Sequence, residues 1–377
     1  MKPVFIVADN ILSPIGSTSA ENFDKLTQNI SGVKEHQGGD RSAGPFYASL
    51  FSDDHPLLNN PSGEYTKFEQ LLIASITDAL KDSGVDSTDP KTVLIISTTK
   101  GNISMLETDA GNPDLNYRIA LPTSAKLVAE KFGFVNKPLI VSHACISGLM
   151  AMITGMRLIQ AGQYDNAVVV GGDVITRFVL SGFQSFQAVS AQPCKPFDLN
   201  RDGINLGEGA ATVILSSNQQ KEGNIQLAGG SVSNDANHIS GPSKTGEELF
   251  DAINSALKSA GVEPEAIGFI SAHGTATIYN DEMEAKAINL AGMQDIPVNS
   301  LKGYYGHTLG ASGLIEAIIA SHSLKHNTII PTRGFNELGV TQPLNVAKEL
   351  QQTPLTACLK TASGFGGCNA AIVLRKS

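Results

Sequence analysis

Three observations predict an α/β fold written twice along the chain. Apolar strand-like runs alternate with helix-like stretches from end to end. Three pairs of segments recur in the same order. Glycine, 37 of 377 residues, gathers in short motifs at the ends of apolar runs, as tight turns between layers require.

In the first pair, Leu80-Lys81-Asp82-Ser83-Gly84-Val85 precedes the run Val93-Leu94-Ile95-Ile96-Ser97, just as Leu257-Lys258-Ser259-Ala260-Gly261-Val262 precedes Ile267-Gly268-Phe269-Ile270-Ser271. Each reads as a helix closing on a glycine C-cap, then a buried strand. In the second, Pro138-Leu139-Ile140-Val141 breaks through Cys145 into a helix starting near Ser147. Its mirror image runs from Pro297-Val298-Asn299-Ser300 through the loop holding His307 into an apolar helix from Leu314 to Leu324. In the third, the run 207–215 is echoed by 364–374, both opening on glycine and continuing as strands. The polar stretch 216–223 is the seam, giving halves 1–219 and 220–377 that pack as pseudo-symmetric partners with a cleft between layers.

A chain of 377 residues with 41% hydrophobic and 17% charged content buries a large core, which excludes a disordered or fibrous protein. The start, 1–9, is too short an apolar run for a secretory signal and reads as a first strand. No run approaches the roughly 18 apolar residues of a membrane span, so a soluble cytoplasmic protein is expected. Cys145, Cys194, Cys358 and Cys368 lack metal or CxxC spacing and are expected as four thiols, with no metal site. A net charge of -9 disfavours nucleic acid and anionic membranes as main partners, while a local basic patch can still receive an acidic carrier.

Cys145 is the best nucleophile in the chain. It stands at a strand-turn-helix elbow, where free amide N–H groups and the helix dipole are expected to favour the thiolate. Taken alone it reads equally well as a small buried hydrophobe. His273, in Ser271-Ala272-His273-Gly274-Thr275, and His307, in Tyr305-Gly306-His307-Thr308, shift the balance. Each follows an apolar strand and has glycine beside it, so backbone or ligand can approach closely.

Cys145, His273 and His307, together with Lys302 and Gly364-Phe365-Gly366-Gly367, resemble the β-ketoacyl-acyl-carrier-protein synthases of the thiolase superfamily. The block 196–203, running into Gly207-Glu208-Gly209-Ala210, belongs to the same likeness, which covers essentially the whole chain. The resemblance implies a five-layer αβαβα fold and a decarboxylating Claisen condensation of an acyl group with malonyl. Both substrates ride on the phosphopantetheine of an acyl carrier protein, with no metal, nucleotide or flavin. A homodimer is implied as well, while this chain's departures from the family point to a heterodimer with a related subunit as the alternative.

By that resemblance Cys145 takes the acyl group as a thioester, and His273 and His307 donate to the enolate oxygen formed as malonyl loses CO2. The amides of Cys145 and Phe365 form an oxyanion hole, and Phe365 acts as a gate. Lys302 pairs with Glu284 to order the site; the alternative is a solvated lysine. Asp281 and Glu316 are expected as support. Thr275 and Thr277 match pantetheine-binding positions, or else are turn hydroxyls capping the next helix. Phe183 and Ile204 shape the acyl pocket, with Ile204 replacing a phenylalanine common in the family.

Other departures point to a specialised synthase, of a polyene or other secondary product. His143 replaces a threonine and is given a packing or pocket role. The segment 102–122, expected to shape the acyl pocket and a subunit contact, is short. The stretch 59–64 lacks basic residues, leaving Lys67 and Arg201 as carrier contacts. Three alternatives stay open: a thiolase-like acyltransferase with Cys368 as second base, a Cys–His thioesterase, and a non-catalytic chain-length subunit. The double histidine with Lys302 weighs against the first two, and the intact nucleophile against the third.

Overall fold

Ten strands form the main ladder of the computed structural model, which describes residues 2–52, 54–55, 63–218 and 223–377. The predicted seam includes residues 219–222 and the stretch 59–64 includes 59–62; these lie outside the described residues. The first half contributes β1 (Phe5–Leu12), α1 (Lys67–Lys81), β2 (Thr92–Ser97), α2 (Leu121–Lys131), β3 (Leu139–Val141), α3 (Ser147–Gln160), β4 (Asn166–Asp173) and β5 (Gly209–Ser216). The second contributes β6 (Ile225–Asn234), α4 (Glu247–Ala260), β7 (Phe269–Ser271), α5 (Ile278–Leu290), β8 (Val298–Asn299), α6 (Ser312–His326), β9 (Ala357–Gly364) and β10 (Cys368–Lys376).

The ladder runs β8-β7-β9-β10-β6-β1-β5-β4-β2-β3. Read outward from the middle, the two halves have the same order and the same strand directions. β2 is parallel to β3 and β4, and β5 is antiparallel to β4 and β1. Likewise β7 is parallel to β8 and β9, and β10 is antiparallel to β9 and β6. The halves join through a short β1–β6 ladder, Phe5 opposite Gln226 and Ile6 opposite Ile225.

Alternation along the strands shows that both faces are covered. In β4, Ala167 and Val169 pack into the central core, while Val168 and Val170 face α1 and α2. In β10, Ala370, Ile372 and Leu374 face the centre, and Ala371 and Val373 face α4. α3 and α6 fill the middle layer and touch each other and both five-stranded portions. α6 is buried almost all round, as a helix between two sheets must be. Five layers result, α1/α2, sheet, α3/α6, sheet, α4/α5, as the resemblance implies. No helix among the described residues is long and apolar enough to cross a membrane.

Local signals set these elements. Thr66 and Glu69 close a capping box at the start of α1. α4 stops at Gly261, left-handed at φ 62. Chain symmetry then makes β3–Cys145–α3 the counterpart of β8–His307–α6, and brings both loops to the same end of the middle layer.

Candidate active site

Cys145 is buried at the turn between β3 and α3, and the residue before it, Ala144, has φ 45. A non-glycine residue in the left-handed region costs on the order of 1–2 kcal/mol. Ala276 (φ 62) and Leu309 (φ 51), close to His273 and His307, are held the same way. Backbone strain therefore gathers around the three side chains that the sequence singled out.

Those side chains meet. The sulfur of Cys145 and one ring nitrogen from each of His273 and His307 lie within 4.8 Å of one another, all buried. The two imidazoles stand edge to face, with centroids 5.2 Å apart and planes at 83°. Nδ1 of His273 and both ring nitrogens of His307 have no protein partner. Unsatisfied buried polar atoms are costly, and these belong to side chains that, with Cys145, line a cavity of about 360 Å³.

Burial, reinforced by the fields of Lys302 and neighbouring charges, drives His273 well below its ordinary pKa and takes His307 down to about 3. Both rings are neutral near pH 7, each carrying one N–H donor. The Cys145 sulfur and the two imidazoles also have the spacing of a metal site. The ammonium groups of Lys302 and Lys360 act on both imidazoles in the sense that disfavours added positive charge, so the site suits a developing anion better than a cation.

The surroundings of Cys145 do not favour the thiolate expected from the elbow. Burial pushes the Cys145 thiol up to about 12, with the Cys368 thiol adding to the shift. The pull of Lys302, Lys100 and the Phe365 amide opposes it. Desolvation of a charge inside the fold outweighs the favourable dipoles.

Lys302 is fully buried, which removes the solvated alternative. Its partner is Glu316, not Glu284: the ammonium bonds Glu316 and donates to the His273 carbonyl at 3.0 Å. Glu284 holds the same loop from the other side, accepting from the amides of His273 (2.7 Å) and Gly274 (2.8 Å) and from the Thr361 hydroxyl (2.6 Å). Burial alone would raise Glu316; Lys302 and Lys360 outweigh it and hold the carboxylate below its usual range. Asp281 accepts from the Phe197 and Thr275 amides, and burial raises it to about 7.

Sequence reasoning missed Lys360. Its ammonium lies 2.7 Å from Glu316 and donates to the carbonyls of Ser271, Ala272 and Thr361. The signal was present: a lysine inside the apolar run 357–362 has to be paired.

Phe365, at the turn between β9 and β10, turns its amide toward the Cys145 sulfur. Its ring packs at 5.7 Å on Phe183 and 5.4 Å on Phe186. Phe183, Ile204, Thr275 and Thr277 all line the cavity, with the two threonine hydroxyls 2.8 Å apart. Cys368 does not line it; its thiol points to the carbonyls of Phe365 and His143.

Several expectations fail. His143, two residues beyond β3, neither packs inside nor lines the pocket; it is exposed. None of the residues 102–122 lines the cavity. Arg201 is not free for a carrier: its side chain is 6% exposed and donates to the carbonyls of Asp198 and Gly339. Lys67 is paired with buried Glu208 at 2.7 Å.

Two stacked halves, a thiol and two neutral imidazoles facing one cavity define an acyl-transferring condensing site. The β-ketoacyl synthase N-terminal and C-terminal domain families match residues 1–221 and 225–336, and the chain belongs to the β-ketoacyl synthase family. The 3-oxoacyl-acyl-carrier-protein synthase 2 of Vibrio cholerae is 28% identical over 411 residues, spanning 99% of both chains. Among solved structures, the ketosynthase ApeO in complex with its chain length factor ApeC, from Xenorhabdus doucetiae, matches with TM-score 0.91 and 27% identity over 100% of this chain and 98% of that one. The ishigamide ketosynthase/chain length factor matches with TM-score 0.90 and 26% identity over 100% and 99%.

Proposed function

We propose that the chain is a β-ketoacyl synthase that joins an acyl group, held on Cys145, to malonyl on an acyl carrier protein, in fatty-acid or polyketide-type chain growth. The observation that carries this reading is the convergence of one thiol and two partnerless neutral imidazoles on one cavity. In the first half-reaction Cys145 attacks the acyl thioester. A new C–S bond forms, the carrier's C–S bond breaks, and the thiol proton ends on the departing pantetheine sulfur. The tetrahedral oxygen lies against the amides of Phe365 and Cys145.

In the second, the bond between malonyl and its carboxylate breaks, CO2 leaves, and the electron pair becomes an enolate whose oxygen receives N–H donation from His273 and His307. Neutral rings suit this work, because they donate to an anion without a proton equilibrium near pH 7. The carbanion then attacks the acyl-Cys145 carbonyl. The sulfur leaves as thiolate and takes a proton from water, returning to the thiol that its buried surroundings favour. No resident metal or organic cofactor enters these steps; Thr275 and Thr277 are assigned to the pantetheine arm.

The neighbour ApeO in complex with its chain length factor supports a related, non-identical subunit as partner. The exposed apolar side chains of Leu106 and Phe178, joined where Glu107 accepts from the amides of Arg177 and Phe178, are a place for a subunit contact, with a related subunit or with a second copy of this chain. A cytoplasmic location and a specialised polyene-type product remain part of this proposal. Intact-mass measurement after mixing with a set of acyl-carrier proteins tests the core of it. Wild type acquires the acyl mass and Cys145→Ala does not; a full adduct on Cys145→Ala overturns the assignment.

A further inference from the structure

The cavity that leads to Cys145 opens between two segments, the loop 235–242 and the start of α5. Large apolar side chains stand out from both. Ile239 is 78% exposed, Tyr279 77% and Ile278 60%. The Ile239 carbonyl accepts from the Gly366 amide at 2.7 Å, which places that loop directly beside the Phe365 turn. Phe186 adds a further exposed ring at the same opening. Single exposed apolar residues are ordinary, but several gathered around one opening mark a binding surface.

The cavity wall is acidic, and the cation nearest in sequence to the loop 235–242 is the exposed Lys244. No lysine or arginine lines the cavity among the described residues, whereas Asp202 and Asp235 do. The two cations suggested by sequence are engaged, Arg201 with backbone carbonyls and Lys67 with Glu208. The chain as a whole carries -9.

We propose that Ile239, Ile278 and Tyr279 form the face on which the acyl carrier protein docks, and that they grip it by apolar contact around the root of its phosphopantetheine arm instead of by charge pairing. This rests on the synthase reading above. Any protein that delivers a thioester to Cys145 has to lie over this rim, so the occupant follows from the position of the surface. A partner held by apolar contacts gives a weakly salt-dependent encounter, and truncating exposed apolar anchors weakens it.

The test compares acyl loading of Cys145 from hexanoyl-acyl carrier protein and from hexanoyl-N-acetylcysteamine, which has no protein to dock. Ile239→Ser and Tyr279→Ser are expected to raise KM for the carrier-borne substrate roughly tenfold, while loading from the small thioester moves by less than about threefold. Wild-type KM for the carrier is expected to change by less than about threefold between about 0.05 M and 0.5 M salt. An unchanged carrier KM in both variants overturns the docking face. So does an equal loss with both donors, or a steep rise of wild-type KM with salt. Wild type that loads from neither donor overturns the synthase reading itself, and the docking face with it.

Discussion

The ammonium of Lys302 donates to the carbonyl oxygen of His273 at 3.0 Å while bonding Glu316, so one buried cation ties the His273 loop to α6. α6 in turn begins five residues after His307. The two imidazoles are therefore set relative to each other by a charge pair that touches neither ring.

Glu316 is shared between two ammonium groups, so removing Lys302 and removing Glu316 are not equivalent. Lys302→Met is expected to destabilise the protein by about 1–3 kcal/mol, because the His273 carbonyl loses its donor while Glu316 keeps Lys360 and the Ser312 hydroxyl. Glu316→Gln, which takes the carboxylate from both Lys302 and Lys360, should cost more, about 3–5 kcal/mol, and the double variant should cost less than the sum of the singles. Urea denaturation of the four proteins measures it; strict additivity would show that the pair is not coupled.

If the imidazoles act on the enolate and not on acyl transfer, their removal separates the half-reactions. His273→Ala and His307→Ala are each expected to load Cys145 close to the wild-type extent, yet release CO2 from malonyl-carrier protein on the order of 10²–10³ more slowly. Mass spectrometry follows the first step and CO2 capture the second. Unchanged CO2 release in both variants would refute the shared role.

The sequence revealed more of the fold than of the wiring behind the site. Repeated strand order was legible because helix caps such as Gly261 and strand runs such as 92–97 leave local marks, and the fold repeats them. Cys145, His273 and His307 were legible because strand ends and adjacent glycines announce tight loops. The partner of Lys302 was not, since Glu284 and Glu316 both lie on helices within reach in sequence. Only the packing of α6 beneath β9 selects Glu316 and recruits Lys360. The thiol's protonation was misjudged for a related reason: a helix start is visible in sequence, but the burial that opposes it is a property of the assembled layers.

Acid sensitivity follows from His307. Its folded-state pKa, about 3, lies below the 6.5 of an ordinary histidine, so as pH falls below 6.5 the unfolded chain binds the proton first and stability is lost. His273 acts in the same direction. Asp281, raised to about 7, acts oppositely, holding its proton in the folded state where the unfolded chain has released it. Wild type alone therefore gives a difference of these effects. Comparison with His307→Asn isolates one of them: between pH 6.5 and 5 wild type should lose about 2 kcal/mol more than the variant. Denaturant midpoints at both pH values read this directly, and parallel losses in the two proteins would show that His307 is not held neutral by the fold.

Close backbone approach beside the histidines separates two costs that positive φ usually mixes. Gly274 sits at φ +45, and a Cβ there would fall 2.5 Å from Cβ of Ser300 and 2.9 Å from the Phe197 ring. Gly162, after α3, has φ +73 with nothing within 4 Å. Both positions penalise alanine for its backbone angle, by on the order of 1 kcal/mol. Only Gly274 adds a collision, with Ser300 held by its hydrogen bond to the Gly274 carbonyl at 2.7 Å and Phe197 fully buried. Overpacking of that kind adds about 1–3 kcal/mol. Gly274→Ala should accordingly unfold at clearly lower denaturant than Gly162→Ala, and should also slow CO2 release by displacing His273, whereas Gly162→Ala keeps wild-type turnover. Equal midpoints for the two variants would mean that the His273 loop yields to the extra methyl group, and that its position is set less tightly than the contacts around it indicate.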